Sequence, residues 1–228
     1  MKYMILDPRA DDKLVQGAEK AGFKAVPAML IPGIDPSVAG HPDMQVVKIG
    51  DRLIVNPKGL DYYKKLMPNK NIIAGKTVVQ GKYPEYTAYN VALTKRFALH
   101  NFKFTDSLVA EALEENYIKI NVKQGYTKCS VLTLPEGIIT ADKGVVKSAL
   151  RGGVECVEIC GHGVSLTGKD YGFIGGASGY SQGVLFFTGD IAMHPDYDKI
   201  KKYCNKKCIE IHCLSNDKLA DTGSIIIV

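Results

Sequence analysis

Apolar and polar positions follow one recurring order along the chain. Two short β-rich runs flank a tight turn, an apolar stripe at helical spacing follows, and a third short apolar run ends the unit. Residues 45–75, 90–122, 129–160 and 183–213 all carry this order. Each segment runs to 31 to 33 residues, and self-similar segments of that length mark a repeat architecture, here with connectors of unequal length between them. The turns at Gly50 and Asp51, Lys95 and Arg96, Pro135 to Gly137, and Gly189 and Asp190 predict four hairpins. Helices are predicted to open beside Asn56 and Pro57, Thr105 and Asp106, Asp142, and His194 to Asp196. There a short polar side chain can accept from free backbone N–H groups, and proline fits the first turn. Apolar residues recur on one face of each helix, such as Leu108, Val109, Ala112 and Leu113, or Val145, Val146, Ala149 and Leu150. A one-sided helix needs a sheet to lie on, which the strands supply. Third strands are predicted at 71–74, 117–120, 154–157 and 208–211.

The two ends of the chain complete a fifth unit. Residues 1–7 read as a second strand, 8–22 as its helix and 24–30 as its third strand, while 224–228 supply the missing first strand. A run of β-branched aliphatics left unpaired would be an aggregating edge, so pairing it closes the ring. The fold expected is therefore α/β, a five-bladed pseudosymmetric α/β propeller of strand-strand-helix-strand units, forming one domain over 1–228 and closed by the C-terminal strand. Five connectors, at 31–44, 76–89, 123–128, 161–182 and 214–223, then share one rim, where a rigid scaffold usually carries its function.

Composition narrows the function classes. The formal charge of +5 comes from scattered lysines, with one cluster at Lys199, Lys201, Lys202, Lys206 and Lys207. Without an aromatic-interleaved basic motif this reads as a solvated helix face, and no nucleic-acid partner is expected. No apolar run approaches the roughly 20 residues of a membrane span, and the first residues are too short a run for a signal peptide. A cytoplasmic protein with no membrane partner is expected. Its six cysteines form no Cys-x-x-Cys pair and are expected to be thiols. Oligomeric state is not legible.

Five such units in a ring resemble the pentein superfamily, the guanidine-modifying-enzyme fold. It includes arginine deiminase, dimethylargininase, agmatine deiminase and glycine amidinotransferase, together with a non-catalytic branch, the translation initiation factor six family. The resemblance implies a cysteine in the last connector that attacks a guanidinium carbon, a histidine in a His-x-Asp or His-x-Glu motif that moves protons, and carboxylates that hold the cation. Here Thr222, Gly223 and Ser224 occupy the place of that cysteine, and the run Phe173 to Gly176 resembles the Glu-Gly-Gly-Asp strand entry without its acids. The chain is thus expected to be a divergent member that lacks covalent deiminase chemistry on arginine or agmatine, unless Cys129 acts as a relocated nucleophile.

Several connector residues are candidates for chemistry. His41, Pro42 and Asp43 make the one His-x-Asp in a connector, able to orient an imidazole or simply to turn the chain. Cys129 stands, in the third unit, where the resemblance places the nucleophile of the last one; Lys128 beside it favours thiolate, although a buried cysteine more often acts as a small hydrophobe. Cys160 and His162 open the longest connector, which also holds Asp170, Gly175 and Gly176. Their spacing is no recognised zinc motif, so no metal and no cofactor is assigned. Catalytic candidates are His41, Asp43, Cys129 and His162, and ligand-binding candidates are Lys128, Asp170, Gly175, Gly176 and Asp221. Asp43, Asp170 and Asp221 are the carboxylates placed to pair a guanidino cation. Repeat symmetry predicts that His41, Asp43, Lys128, His162 and Asp221 share one cavity. The expected function is binding or hydrolysis of a small guanidino or amino-acid-like molecule. The alternatives are a non-catalytic pentein that binds a protein or ribosomal partner, and a metal-assisted hydrolase using His41, Asp43, His162 and Cys160.

Overall fold

Each repeat folds as a hairpin, a helix and a parallel third strand in the computed structural model, which describes residues 1–228. The N-terminal unit holds β1 (Tyr3–Leu6), α1 (Asp12–Lys20) and β2 (Lys24–Pro27). The next holds β3 (Val46–Ile49), β4 (Arg52–Val55), α2 (Leu60–Leu66) and β5 (Asn71–Ala74), and is followed by β6 (Ala92–Leu93), β7 (Phe97–His100), α3 (Ser107–Glu114) and β8 (Ile118–Asn121). A short helix α4 (Thr127–Ser130) leads into β9 (Val131–Thr133), β10 (Gly137–Thr140), α5 (Lys143–Arg151) and β11 (Glu155–Glu158). Then come β12 (Ser178–Ser181), β13 (Val184–Phe187), α6 (Tyr197–Lys206), β14 (Glu210–Cys213) and β15 (Ile226–Ile227). Every blade is a three-stranded sheet whose middle strand runs antiparallel to the first and parallel to the third. The ring closes as expected: Ile227 lies opposite Met4 and Ile226 opposite Ile5, with reciprocal backbone hydrogen bonds between Tyr3 and Val228. The chain therefore has the pentein-like five-bladed propeller.

Local chemistry explains the helix starts. Asp106 accepts from the N–H groups of Leu108 and Val109, Asp142 from Val145, and Asp11 from Leu14, which satisfies donors that a first turn leaves free. The buried stripe of each helix then meets two blades. Val109 and Leu113 of α3 pack with Val47, Ile49 and Ile54 of the preceding blade, and Val145 and Ala149 of α5 pack with Leu99 and Ile120. Five such apolar clusters fill the five junctions between successive blades. No blade has a core of its own, so each depends on both neighbours.

One unit departs from the expected register. Its hairpin turns at Gln182 and Gly183, both at positive φ, and not at Gly189 and Asp190. The first strand, Ser-Gly-Tyr-Ser, lacks a β-branched run because the backbone of Ile225 lies against it; a Cβ on Gly179 would stand 2.2 Å from the Ile225 carbonyl oxygen. The apolar segment after Asp190 is a 3-10 turn (Ile191–Met193), held by the Asp190 side chain accepting from the Ala192 N–H. The third strand follows two residues later than the pattern predicts. The connector before this blade thus ends near 177. No helix is long and apolar enough to cross a membrane.

Candidate active site

The connectors that enter the five first strands bring one polar group or one glycine pair from every unit to the centre of the rim. A 3-10 turn (Pro42–Met44) holds His41 and Asp43 ahead of β3, so the His-Pro-Asp turn positions both side chains. Asn90 precedes β6, Cys129 lies on α4 ahead of β9, Gly175 and Gly176 precede β12, and Asp221 and Ser224 precede β15. His41, Asp43, Asn90, Cys129, Asp221 and Ser224 are all buried.

Hydrogen bonds fix most of these groups. The Cys129 thiol donates to Asp43 Oδ2 at 3.0 Å, and the Ser224 hydroxyl donates to the same oxygen at 2.6 Å. Asn90 Oδ1 accepts from the Lys128 N–H at 2.7 Å, while its amide donates to the Asp43 carbonyl at 3.2 Å and to Cys129 Sγ at 3.4 Å. Asp221 accepts from the N–H groups of Phe173 and Gly223. Its backbone is anchored to the neighbouring connector, where Asp221 donates to the Ser165 carbonyl and Ser165 to that of Leu219. His41 is the exception. Its Nδ1 lies 3.8 Å from Asp221 Oδ1, and neither ring nitrogen has a hydrogen-bond partner. A buried polar group without a partner costs about 1–3 kcal/mol and marks a place where a ligand, water or proton transfer is accommodated. The ligating atoms of His41, Cys129 and Asp221 all lie within 4.8 Å of one another.

Cys129 and Asp221 form part of the wall of a cavity of about 340 Å³, which is walled further out by Asp35, Tyr126, Asp170, Tyr171 and Phe173. An adjoining cavity of about 360 Å³ includes His41 and shares Asp221 with the first. A Lys169–Asp35 ion pair of 2.7 Å joins two connectors across the rim, and the Lys169 hydrogen bond holds the Asp35 carboxyl down to about 2. With Lys169 spent on Asp35, Asp170 and Asp221 leave the cavity short of positive charge. Burial pushes the Asp221 carboxyl up, His41 opposes that shift and Asp43 adds to it. Burial, followed by the charges of Asp43 and Asp221, holds the Cys129 thiol well above its ordinary range, so it rests protonated.

A sequence profile for a family of unknown function, DUF6873, matches residues 5–226. The chain belongs to that family. No curated protein matches it by sequence. Among solved structures it is similar to DDAH from Pseudomonas aeruginosa, a cysteine-to-serine mutant complexed with citrulline. The TM-score is 0.53 at 8% identity, over 93% of this chain and 91% of that one. At that identity the likeness is one of fold, and it agrees with the pentein-like ring.

In this DUF6873 chain the rim gathers only part of the set that symmetry predicts. His41, Asp43, Cys129 and Asp221 converge. Asp170 is exposed at the outer wall of the same cavity. His162 is a correction: it is exposed, edge-on to Tyr171 at 6.0 Å, in a separate cavity of about 180 Å³ with Cys160. The long connector swings outward after Cys160, with Gly163 at positive φ, and repeat symmetry carries no information on that excursion. Lys128 lines the central channel and neither of the two cavities that share Asp221, while its amine still feels the charges of Asp43, Cys129 and Asp221. Gly175 and Gly176 line none of these cavities and serve close approach instead. A Cβ on Gly176 would sit 1.8 Å from Asp221 Oδ1, and one on Gly175 would meet the carbonyls of Lys128, Cys129 and Val131. Asn90, which ties Asp43 to Cys129, escaped the sequence reading. Its place just ahead of a first strand, equivalent to that of Cys129, was the available signal.

Proposed function

We propose that this protein is a cysteine-dependent hydrolase that cleaves a carbon–nitrogen bond in a small cationic guanidine or amidine. The observation that carries the reading is the meeting of Cys129, His41 and Asp221 within 4.8 Å at an acidic, aromatic-walled cavity. A planar cation is paired by Asp221 inside and Asp170 outside, and it stacks on Tyr126, Tyr171 or Phe173. The citrulline complex of the structural relative supports a ligand of this shape, since a ureido group is the hydrolysed counterpart of a guanidinium.

Chemistry follows from the electrostatics. Burial, with the charges of Asp43 and Asp221 added to it, holds the Cys129 thiol protonated, and a bound cation offsets those two charges, which lowers the thiol pKa when substrate is present. The thiol proton passes to His41, and sulfur bonds to the electrophilic carbon. His41 then protonates the departing amine as the C–N bond breaks. Water adds to the same carbon, the S–C bond breaks, and the thiol regains its proton. Guanidinium plus water thus yields a ureido product and an ammonium. Ser224, fully buried with its hydroxyl given to Asp43, holds that carboxylate in place and does not replace the nucleophile.

The test is amine and ammonia release from a panel of guanidino and amidino compounds. Turnover is expected to fall by about a thousandfold or more in Cys129→Ala and about a hundredfold or more in His41→Ala. Turnover that survives Cys129→Ala refutes the reading. One observation favours a second reading. The unpartnered nitrogens of His41, with Cys129 and Asp221, make a nitrogen, sulfur and oxygen donor set beside open space, as a catalytic zinc site requires. Zinc bound one to one in protein purified without chelator, and lost in His41→Ala, would decide for it.

A further inference from the structure

A second cavity, of about 450 Å³, occupies the centre of the ring and is lined by first strands of all five blades. Its walls are mostly aliphatic, among them Val47, Val91, Leu93, Leu134 and Ile226. The first strands run from the connector rim to the hairpin turns, and Lys95, Pro135 and Ser181 in the lining belong to or adjoin those turns. The channel therefore opens on the face opposite the candidate active site. Three lysines line it, Lys48, Lys95 and Lys128, and no aspartate or glutamate does. None of the three takes part in any ion pair of the chain. Lys48 donates only to the Ile227 carbonyl, at 3.0 Å, and no side-chain partner falls to the Lys128 ammonium. Burial lowers the pKa of both amines, with Lys70 adding to the effect at Lys48 and with Asp43, Cys129 and Asp221 opposing it at Lys128.

Three lysines on a largely aliphatic lining that itself holds no carboxylate favour an anion there, with Asp43 and Asp221 acting from outside the lining on Lys128 alone of the two shifted amines. We infer that the central channel binds a small organic anion with an aliphatic body, its charged head between Lys48 and Lys128 and its body against the valines, leucines and isoleucines of the first strands. An apolar cation is excluded by the same lysines. A bare inorganic anion gains the charge pairing but leaves the aliphatic wall uncovered, so it binds more weakly. This site is distinct from the hydrolase reading because none of its lining residues is proposed to react, and the two adjoin at Lys128, whose amine feels Asp43, Cys129 and Asp221.

Octanoate is the probe, with octanol, octylamine and inorganic phosphate as controls, and the readouts are calorimetric binding and thermal shift on the full chain. Octanoate is expected to bind and raise the melting temperature, at least about tenfold more tightly than any control, with affinity that weakens as salt rises. Lys128→Met is expected to weaken octanoate by about tenfold or more, the loss of one charge-assisted contact, and Lys48→Met to do likewise. Both variants replace a charge by an apolar chain of similar length, and their own melting curves establish that they fold. The inference is overturned if octanoate does not bind, if octanol or phosphate binds as tightly, or if both folded methionine variants retain full affinity.

Discussion

Deleting residues 224–228 should unfold the entire ring, because two of its five junctions lose a wall. Ile226 and Val228 pack with Tyr3, Ile5 and Leu53 in one junction, while Ile225 and Ile227 pack with Met4, Leu14 and Phe186 in the next. Ile225, Ile226, Ile227 and Val228 are all buried, at 2%, 9%, 9% and 8% exposure. At about 1.5–3 kcal/mol for each buried aliphatic side chain, their loss costs roughly 6–12 kcal/mol. The backbone bonds to Tyr3 and Ser178 go with them. Since a domain's whole stability is about 5–15 kcal/mol, the deletion consumes most or all of it. A graded version keeps the strand: Ile226→Ala should cost about 2–4 kcal/mol and lower the melting temperature by roughly 5–15 °C. Circular dichroism melts with a tyrosine near-ultraviolet probe read both. A truncated chain that melts cooperatively within about 2 °C of the full one would refute ring closure as the source of stability.

Other consequences follow from single sites. Burial holds the His100 imidazole down to about 4, against an ordinary value of 6.5, so the folded state resists its protonation. Stability should therefore be full above about pH 6.5 and fall as pH drops toward 4, by roughly 3 kcal/mol, in urea titrations across that window; His100→Gln should flatten the slope, and an unchanged slope would contradict the assignment. Gly176→Ala should displace Asp221 and abolish turnover, whereas Gly161→Ala, where a Cβ meets only Ala141 at 4.0 Å, should leave it intact; equal activity in the two variants would argue against the Asp221 geometry. Lys169→Met removes an ion pair whose side chains are 46% and 31% exposed, so solvent screening should leave stability almost unchanged. The freed Asp35 should nevertheless lower KM for a cationic substrate, most clearly at low salt, and a raised KM would mean that Lys169 contacts substrate.

Much of the fold was legible because its signals are local. Asp106 and Asp142 announce their helices by capping chemistry, and the aliphatic run at the C-terminus needed a partner strand that only β1 supplied. The fourth full repeat was misread because its first strand owes its identity to a tertiary contact: Gly179 is glycine for the sake of the Ile225 backbone, and the resulting Ser-Gly-Tyr-Ser run has no β signature. At the rim, the repeat fixes where a connector begins and ends but not which way its side chains face. His41, Asp43, Cys129 and Asp221 lie within a few residues of first strands and so obeyed the symmetry. His162 stands well away from one and did not, while Lys128 and Cys129 are adjacent on α4 and line different cavities.

The reactivity of the six cysteines toward a cationic electrophile tests the account most directly. Cys208 is exposed whereas Cys129 is buried, so a neutral alkylating agent such as iodoacetamide should label Cys208 first. Chloroacetamidine, which joins an amidinium to an alkylating carbon, should reverse that order, because Asp221 and Asp170 draw the cation in and its charge lowers the pKa of the neighbouring thiol. Peptide mass spectrometry after brief exposure is predicted to find the amidine adduct mainly on Cys129, and to find it much reduced in Asp221→Asn and His41→Ala. An adduct confined to Cys208 and other accessible thiols, with Cys129 untouched in folded protein, would contradict the proposal that this site activates a nucleophile for cationic substrates.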